Sequence, residues 1–298
     1  MKLSDIKVVF AGCARNCSDF LPKVLDNIKF YSSFFKDSYT IVVENGSIDN
    51  TKEILKKNKN NQNFFLFQDD LNNLPYRGQR LERARNLIIE TIKQNSNLIN
   101  CDLFIMLDLD DMGTYRIDEK NILDAIQFLF SKDEIAAVFA NQLGTYYDIW
   151  TLRDEKYCQN DFWVEVLKFL IKNKNTHEQI SKNNVEEVKE KIIDKKTYSF
   201  KKDLAPILVN SAFGGFGIYK MKHVIKNPNK YKGSQIVDLV SKDKKEFRIK
   251  YQKCEHVNFN QGLAQQNLKL YILPNLINRG YKKIIFPPSA ATNLIMKN

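Results

Sequence analysis

Two aspartates one residue apart, Asp108 and Asp110, follow the uninterrupted apolar run Phe104-Ile105-Met106-Leu107, and Asp111 comes directly after them. Carboxylates so placed at a strand end can turn together toward one hard cation, which takes oxygen ligands. A Mg²⁺ or Mn²⁺ held there can bridge two phosphate oxygens and offset the charge that builds on a departing diphosphate. Acidic residues at a strand end can also simply cap the next turn. The third carboxylate and the wholly apolar strand before it favour the metal reading.

A second set lies further along. Tyr147-Asp148-Ile149-Trp150-Thr151-Leu152-Arg153-Asp154, followed by Asn160-Asp161-Phe162-Trp163, interleaves aromatic rings with carboxylates. Sugars stack on aromatic faces and bind carboxylates through their hydroxyls, so Tyr147, Asp148, Trp150 and Arg153 are candidate sugar contacts. Core packing by Tyr147, Trp150 and Trp163 is the competing reading. Of three histidines, His177 lies in a lysine-rich stretch and His223 in a basic helix, whereas His256, in Cys254-Glu255-His256-Val257, adjoins an acid in an ordered-looking segment. A histidine satisfied inside a core is the alternative there.

The elements that must position these residues alternate between two periodicities. Continuous apolar or β-branched runs at Lys7–Gly12, Thr40–Val43, Phe64–Phe67, Leu103–Leu107 and Ala136–Ala140 read as strands. Between them, Leu21, Val24, Leu25 and Ile28 recur at helical spacing, as do Leu81, Ala84, Leu87, Ile88 and Ile92, and 122–130 is helical. Ser18 and Asp19 are expected to cap the first of these helices, and Asp49 and Asn50 to start a short one after the second strand. Strand–helix alternation with short connections implies parallel pairing, hence a doubly wound α/β sheet. Ligands in such sheets bind beyond the carboxyl ends of the strands. Arg15 and Asn16, Glu44, and Asp108 all stand at those ends. The second half is less regular: a helix from Asp161 to Ile171, a lysine- and asparagine-rich helical insertion at about 172–202, strands at 207–210 and 216–219, and a late strand, Leu268–Leu273, ended by Pro274.

At this point a resemblance enters. Val42-Val43-Glu44-Asn45-Gly46-Ser47-Ile48-Asp49-Asn50-Thr51 is similar to the second-strand motif of family-2-like glycosyltransferases, with Glu44 where Asp is usual. Asn16, with Leu21 and Leu25, resembles the start of their first helix. Arg80, Arg83, Arg85 and Asn86 resemble the arginine- and asparagine-rich helix before their metal motif, and Asp108-Leu109-Asp110 matches that DxD motif in order. The likeness covers about the first 115 residues. It implies a GT-A, Rossmann-like, mostly parallel twisted sheet flanked by helices in a single domain, 1–298, with a nucleotide-binding half (1–115) and an acceptor-side half (116–298). The implied activity moves a sugar from a UDP- or GDP-linked donor to a glycan or glycosylated acceptor, with Mn²⁺ or Mg²⁺. Gly12, Arg15, Glu44, Asn45, Asp49, Arg80 and Asp108 would hold the nucleotide sugar, and Asp108 and Asp110 the metal. A late histidine, His256, would be a further metal ligand. Glu255 or Asp161 would be the base of an inverting reaction, deprotonating the acceptor hydroxyl. The aromatic block and Phe213-Gly214-Gly215-Phe216-Gly217 look like capsule-associated mannosyltransferases of the cryptococcal type, which adds Gly214 and Gly215 to the sugar contacts.

Composition bounds these readings. The chain has 298 residues, 43% of them hydrophobic, enough for a buried α/β core. The net charge of +11 favours anionic partners: nucleotide diphosphates, acidic glycans, or peripheral contact with an anionic membrane. No nucleic-acid partner is expected, because no helix-turn-helix, zinc finger or RNP-like pattern accompanies the charge. Five scattered cysteines suggest reduced thiols and a cytoplasmic location. The run Val8–Ala11 is too short for a signal-peptide core, and no stretch approaches a membrane span. A haloacid-dehalogenase-type phosphatase is the rival enzyme, but its DxD motif follows the first strand. Here the motif follows four strands, and Met112 stands where Thr or Val is usual. A non-catalytic basic protein that binds nucleic acid or a glycan is the remaining alternative.

Overall fold

The central strands are apolar on both faces because helices cover both. The computed structural model describes residues 2–58, 60–74, 76–173, 188, 192, 198–281 and 295–296. Most of the expected lysine-rich insertion lies outside them. Strands β1 (Lys7–Ala14), β2 (Asp37–Glu44), β3 (Phe64–Gln68) and β4 (Leu103–Leu107) pair in parallel in the order β3-β2-β1-β4. Beyond β4 the sheet continues through β7 (Phe216–Lys220), β5 (Ile135–Gly144), β10 (Lys269–Tyr281) and β6 (Ile207–Val209). Both β7 and β6 run antiparallel to their neighbours. The sheet is mostly parallel, as expected, with antiparallel pairings at β7 and β6. Its strands come from both halves of the chain.

Side-chain alternation distributes each strand between two cores. Val9, Ala11, Phe104 and Met106 face helices Arg77–Gln94 and Glu255–Ala264, through Ala84, Ile88, Ile92, Phe259 and Leu263. Val8, Phe10, Leu103, Ile105 and Leu107 face helices Leu21–Ser32 and Glu119–Phe130, through Leu21, Val24, Ile28, Ile122, Ile126 and Leu129. Each fully buried Leu, Ile or Phe contributes roughly 1.5–3 kcal/mol.

Local departures from expectation have identifiable causes. Ser18 and Asp19 do not cap the first helix, which starts at Leu21 with Phe20 before it and no side-chain cap. The Ser18 amide is instead held by Asp49 Oδ2 at 3.1 Å, tying the β1 loop to the β2 loop. Pro274 does not end the late strand. Having no N–H, it sits where the β10–β5 register shifts between Ile272 and Ile277, and pairing resumes beyond it. Strands β8 (Ser234–Val240) and β9 (Glu246–Gln252), with β11 (Ile295–Met296), form an unanticipated antiparallel sheet. Its inner residues Leu239, Ile249 and Tyr251 pack on helix Phe162–Asn173. Among the described residues, no helix is long and apolar enough to cross a membrane.

Candidate functional site

β4 delivers Asp108 to the carboxyl edge of the sheet, and a glycine turn fixes it there. The Asp108 amide donates to Gly215 O at 3.0 Å. Gly214 and Gly215 both take left-handed backbones, φ +64° and +81°, which glycine adopts without cost. A Cβ on Gly215 would stand 3.2 Å from the Tyr147 hydroxyl and 3.3 Å from Asp108 Oδ2. That hydroxyl donates to Asp108 Oδ2 at 3.3 Å. The Gly214 amide donates to Asp148 Oδ2 at 2.9 Å, so one turn spaces the two carboxylates. Behind it, Gln142 Nε2 (3.0 Å) and Asn278 Nδ2 (2.5 Å) both donate to Gly214 O.

Asp110 accepts the Met112 amide at 3.0 Å. Arg279, reaching from β10, binds Asp111 Oδ2 at 2.5 Å and Asp111 O at 2.6 Å. Burial, and then the neighbouring Asp108, push the Asp110 carboxyl up to about 7. Burial raises Asp108 as well, despite Arg85. The two acids resist being charged together, as carboxylates sharing one site do, and a divalent cation would relieve that cost.

Arg85 forms the other pole. Its guanidinium pairs with Glu255 Oε1, lies 3.7 Å from Asp108 Oδ1 and stands over the rings of Phe213 and Tyr231. Glu255 begins helix Glu255–Ala264, and its Oε2 is buried without a partner. His256 stacks on Phe213 at 3.9 Å between centroids; both ring nitrogens are buried without a hydrogen bond, Nε2 lying 3.9 Å from Glu255 Oε1. Burial, and then Arg85 and Arg77, lower its pKa far enough to keep the ring neutral, the form that binds metals or sugar hydroxyls.

Two hollows open on these residues. One, of about 230 Å³, is lined by Asp108, Asp110, Tyr147, Asp148, Trp150, Phe213, Glu255 and His256 among others. The other, of about 180 Å³, is lined by Cys13, Arg15, Cys17, Asn45 and Arg80 among others. Arg77, Arg85, Asp108 and Asp110 border both, so the acidic pair stands at their junction.

The remaining sequence candidates divide. Arg15 reaches Asn45 O at 2.5 Å and Asn72 Oδ1 at 2.8 Å, at the mouth of the smaller hollow. Arg80 donates to Leu74 O at 2.7 Å beside it. Glu44 is buried, with Oε1 accepting the Ser47 amide, and Asp49 fastens Ser18 and Thr51; neither lines a hollow. Gly12 is required by close packing, since a Cβ there would meet Leu109 Cγ at 2.6 Å. Arg153 and Asp161 pair with each other at 2.7 Å, Asp161 also accepting the Trp163 amide, and they line neither hollow. Sequence reasoning did not single out Arg77, Gln142, Asn278 or Arg279. Amides that close apolar runs, Asn141-Gln142 after Ala136–Ala140 and Asn278 after Leu276-Ile277, were the available signal for the network behind Gly214.

Among the described residues, no three His, Cys, Asp or Glu side chains converge as a metal cage. Asp108, Asp110 and His256 therefore do not form one. Two mutually repelling carboxylates beside an open hollow still fit a Mg²⁺-like ion, which is commonly held by one or two carboxylates with substrate phosphates and water completing the shell.

No protein-family model matches the chain, and no curated protein matches it. Solved structures do. TarS of S. aureus in complex with UDP-GlcNAc is 12% identical with a TM-score of 0.50, the alignment covering 96% of this chain and 61% of that one. The mannosyltransferase PcManGT from Pyrobaculum calidifontis, in complex with GDP-Man and Mn²⁺, is 10% identical with a TM-score of 0.48, covering 96% and 59%. Glucosyl-3-phosphoglycerate synthase from Mycobacterium tuberculosis in complex with UDP is 12% identical with a TM-score of 0.42, covering 95% and 74%. The chain spans about three fifths of the length of the first two. Identity this low speaks to architecture alone: the chain has the α/β fold of the GT-A type.

Proposed function

We propose that the chain is a glycosyltransferase that takes its sugar from a nucleoside-diphosphate donor with the help of a divalent cation. The observation that carries this reading is the position of Asp108 and Asp110 at the junction of two hollows. The smaller, with Arg15, Asn45 and Arg80, suits a nucleoside diphosphate, since guanidinium groups match phosphate oxygens. The larger, with Trp150, Asp148, Glu255 and His256, suits the sugar and its acceptor. The anomeric carbon would then lie at the acidic pair, between the two.

Asp108 and Asp110 would hold the cation. When bound, it supplies positive charge against the departing diphosphate. The chain's own residues do the rest. Arg77, an exposed cation bordering both hollows, sits where the leaving group gains charge. Glu255 is the base: Oε1 is anchored by Arg85, leaving Oε2 to accept the proton of the attacking hydroxyl. Asp161 gives up that role because Arg153 and the Trp163 amide occupy it away from the cleft. Asp148, fixed by Gly214 and by the Thr151 hydroxyl at 2.7 Å, orients the sugar.

Thermal unfolding with UDP, GDP or CMP, each with and without Mn²⁺, tests the proposal. A ligand at a hundred times its dissociation constant stabilises by about 2.7 kcal/mol. A metal-dependent rise with one diphosphate, absent in Asp110→Ala, is the expected result. No rise with any nucleotide would reject it.

A further inference from the structure

Helix Arg77–Gln94 carries the cations of the donor side, yet its own sequence does little to hold its first turn. Tyr76, at the N-cap, supplies no side-chain cap, and Gly78 in the first turn is a poor helix former. The missing cap comes from elsewhere. Gln252, at the end of β9 and only 8% exposed, accepts the Gly78 amide on Oε1 at 3.1 Å, from 174 positions further along the chain. One turn on, Glu82 accepts the Gly233 amide at 2.7 Å, and the Lys253 amide donates to Gly233 O at 3.1 Å. Beyond that, Arg85 pairs with Glu255, and Asn86 exchanges hydrogen bonds of 3.0 Å with the Tyr231 backbone in both directions.

Positions 78, 82, 85 and 86 share one face of the helix, and that face is docked on residues 231–233 and 252–255. The contact at its start tolerates no side chain. A Cβ on Gly78 would stand 2.5 Å from Gly233 O, and one on Gly233 would overlap Gly78 O. Two glycines thus let the backbones meet directly. Arg77 and Arg80, on the neighbouring face, line the smaller hollow, and Arg77 borders the larger one as well. Gln252 lines neither; its side chain is committed to the backbone that carries Arg77.

We infer that Gln252 is a positioning residue for the donor: by holding the first turn of the helix against Gly233, it fixes Arg77 at the diphosphate without touching the ligand itself. The inference rests on the glycosyltransferase reading, in which Arg77 meets that diphosphate. A helix start whose amides lack acceptors frays, and a guanidinium on a frayed turn has to be ordered by the ligand it binds, which lowers affinity. The segment that holds Gly78 through Gln252 also supplies Glu255 and His256 to the larger hollow. One short stretch of chain therefore places the donor-side cation and the proposed base together.

The test is calorimetric titration of the whole chain with UDP and GDP in the presence of Mn²⁺. The variants are Gln252→Leu, Gln252→Glu, Arg77→Met and the double variant Arg77→Met/Gln252→Leu, each titrated well below its own unfolding temperature. Arg77→Met is expected to weaken the diphosphate about 10-fold, the scale of one hydrogen bond to a charged group. Gln252→Leu is expected to weaken it about 5-fold or more through the lost ordering of Arg77. Gln252→Glu, which keeps an acceptor oxygen, is expected to bind as the wild type does. The double variant is expected to bind no more weakly than Arg77→Met alone, because residue 252 acts through residue 77. A general loosening of the fold would weaken Arg77→Met further, and such additivity would overturn the inference; so would wild-type affinity in Gln252→Leu. Should Gln252→Leu fail to fold, Glu82→Leu loosens the same contact from the helix side and carries the same expectations. Binding of either diphosphate to the wild-type chain reports separately on the donor. Without it the enzyme reading has failed first, whereas binding that ignores the contact counts against the positioning role alone.

Discussion

Removing Arg85 should strongly destabilise the protein, and the loss should be recoverable. Arg85 and Glu255 are paired with 5% and 3% of their side chains exposed. Breaking such a pair from one side leaves a buried charge uncompensated, which costs roughly 3–5 kcal/mol. Arg85→Met also removes the contacts over Phe213 and Tyr231, about 0.5–2 kcal/mol in total. At about 2 °C per kcal/mol for a chain of this size, the predicted fall in Tm is roughly 7–14 °C. Glu255→Met alone should cost a similar amount, because Arg85 then keeps only Asp108, at 3.7 Å and partly solvated. The double variant Arg85→Met/Glu255→Met should regain most of the loss, since apolar side chains of similar volume replace a buried pair at little net cost. Urea unfolding gives the four free energies of the cycle, and the coupling should be about 2 kcal/mol or more. Single effects that add within about 0.5 kcal/mol would refute the reasoning and show the pair to be solvated.

Gly215→Ala should cost about 1–2 kcal/mol, because φ +81° disfavours any Cβ; Gly214→Ala should cost more, as its Cβ would also meet Ala140 O at 2.5 Å. Both are read as the shift in urea midpoint. Asn278→Leu removes one of two donors to Gly214 O and should lower stability by about 1–3 kcal/mol. Burial alone would raise the Asp49 carboxyl, but hydrogen bonds from Thr51 and Ser18 bring it down to about 2. Its unfolded value is about 3.9, so the ionised group stabilises the fold above about pH 4, and that contribution fades as pH falls toward 2. The stability gap between wild type and Asp49→Asn should therefore be widest near neutrality and close in acid; a gap that stays constant with pH would contradict this. Burial pushes the Cys13, Cys17 and Cys254 thiols up to about 11 and Cys101 up to about 12. These four should resist a thiol reagent at pH 8 until the chain is unfolded.

The strands that carry the acidic pair were legible because they are buried on both faces, so their sequences are continuous apolar runs. Asp108 and Asp110 stood out for the same reason, as charge placed where such a run stops. The hairpin of β8 and β9 was not legible: Ile236, Asp238 and Val240 on one face, and Glu246, Arg248 and Lys250 opposite them, mix charged and apolar side chains on the solvent side and blur the alternation. Nor was the antiparallel insertion of β7, because its pairing with β4 and β5 is a long-range choice that no local pattern records.

Asp161 and Glu255 show where site reasoning reaches its limit. Both are acids in ordered segments rich in aromatic or apolar neighbours, and the sequence offers no ground for choosing between them. The difference lies in their partners. Asp161 has both oxygens bound, by Arg153 and by the Trp163 amide, whereas Glu255 has one oxygen paired with Arg85 and the other buried without a hydrogen-bond partner. The base proposed above would need an oxygen without a partner, and that property belongs to the contact with residue 85, 170 positions earlier in the chain. The charge of the whole chain misleads in the same way. Lysines throughout the sequence set the sum, whereas the larger hollow is bordered by five carboxylates and two guanidinium groups.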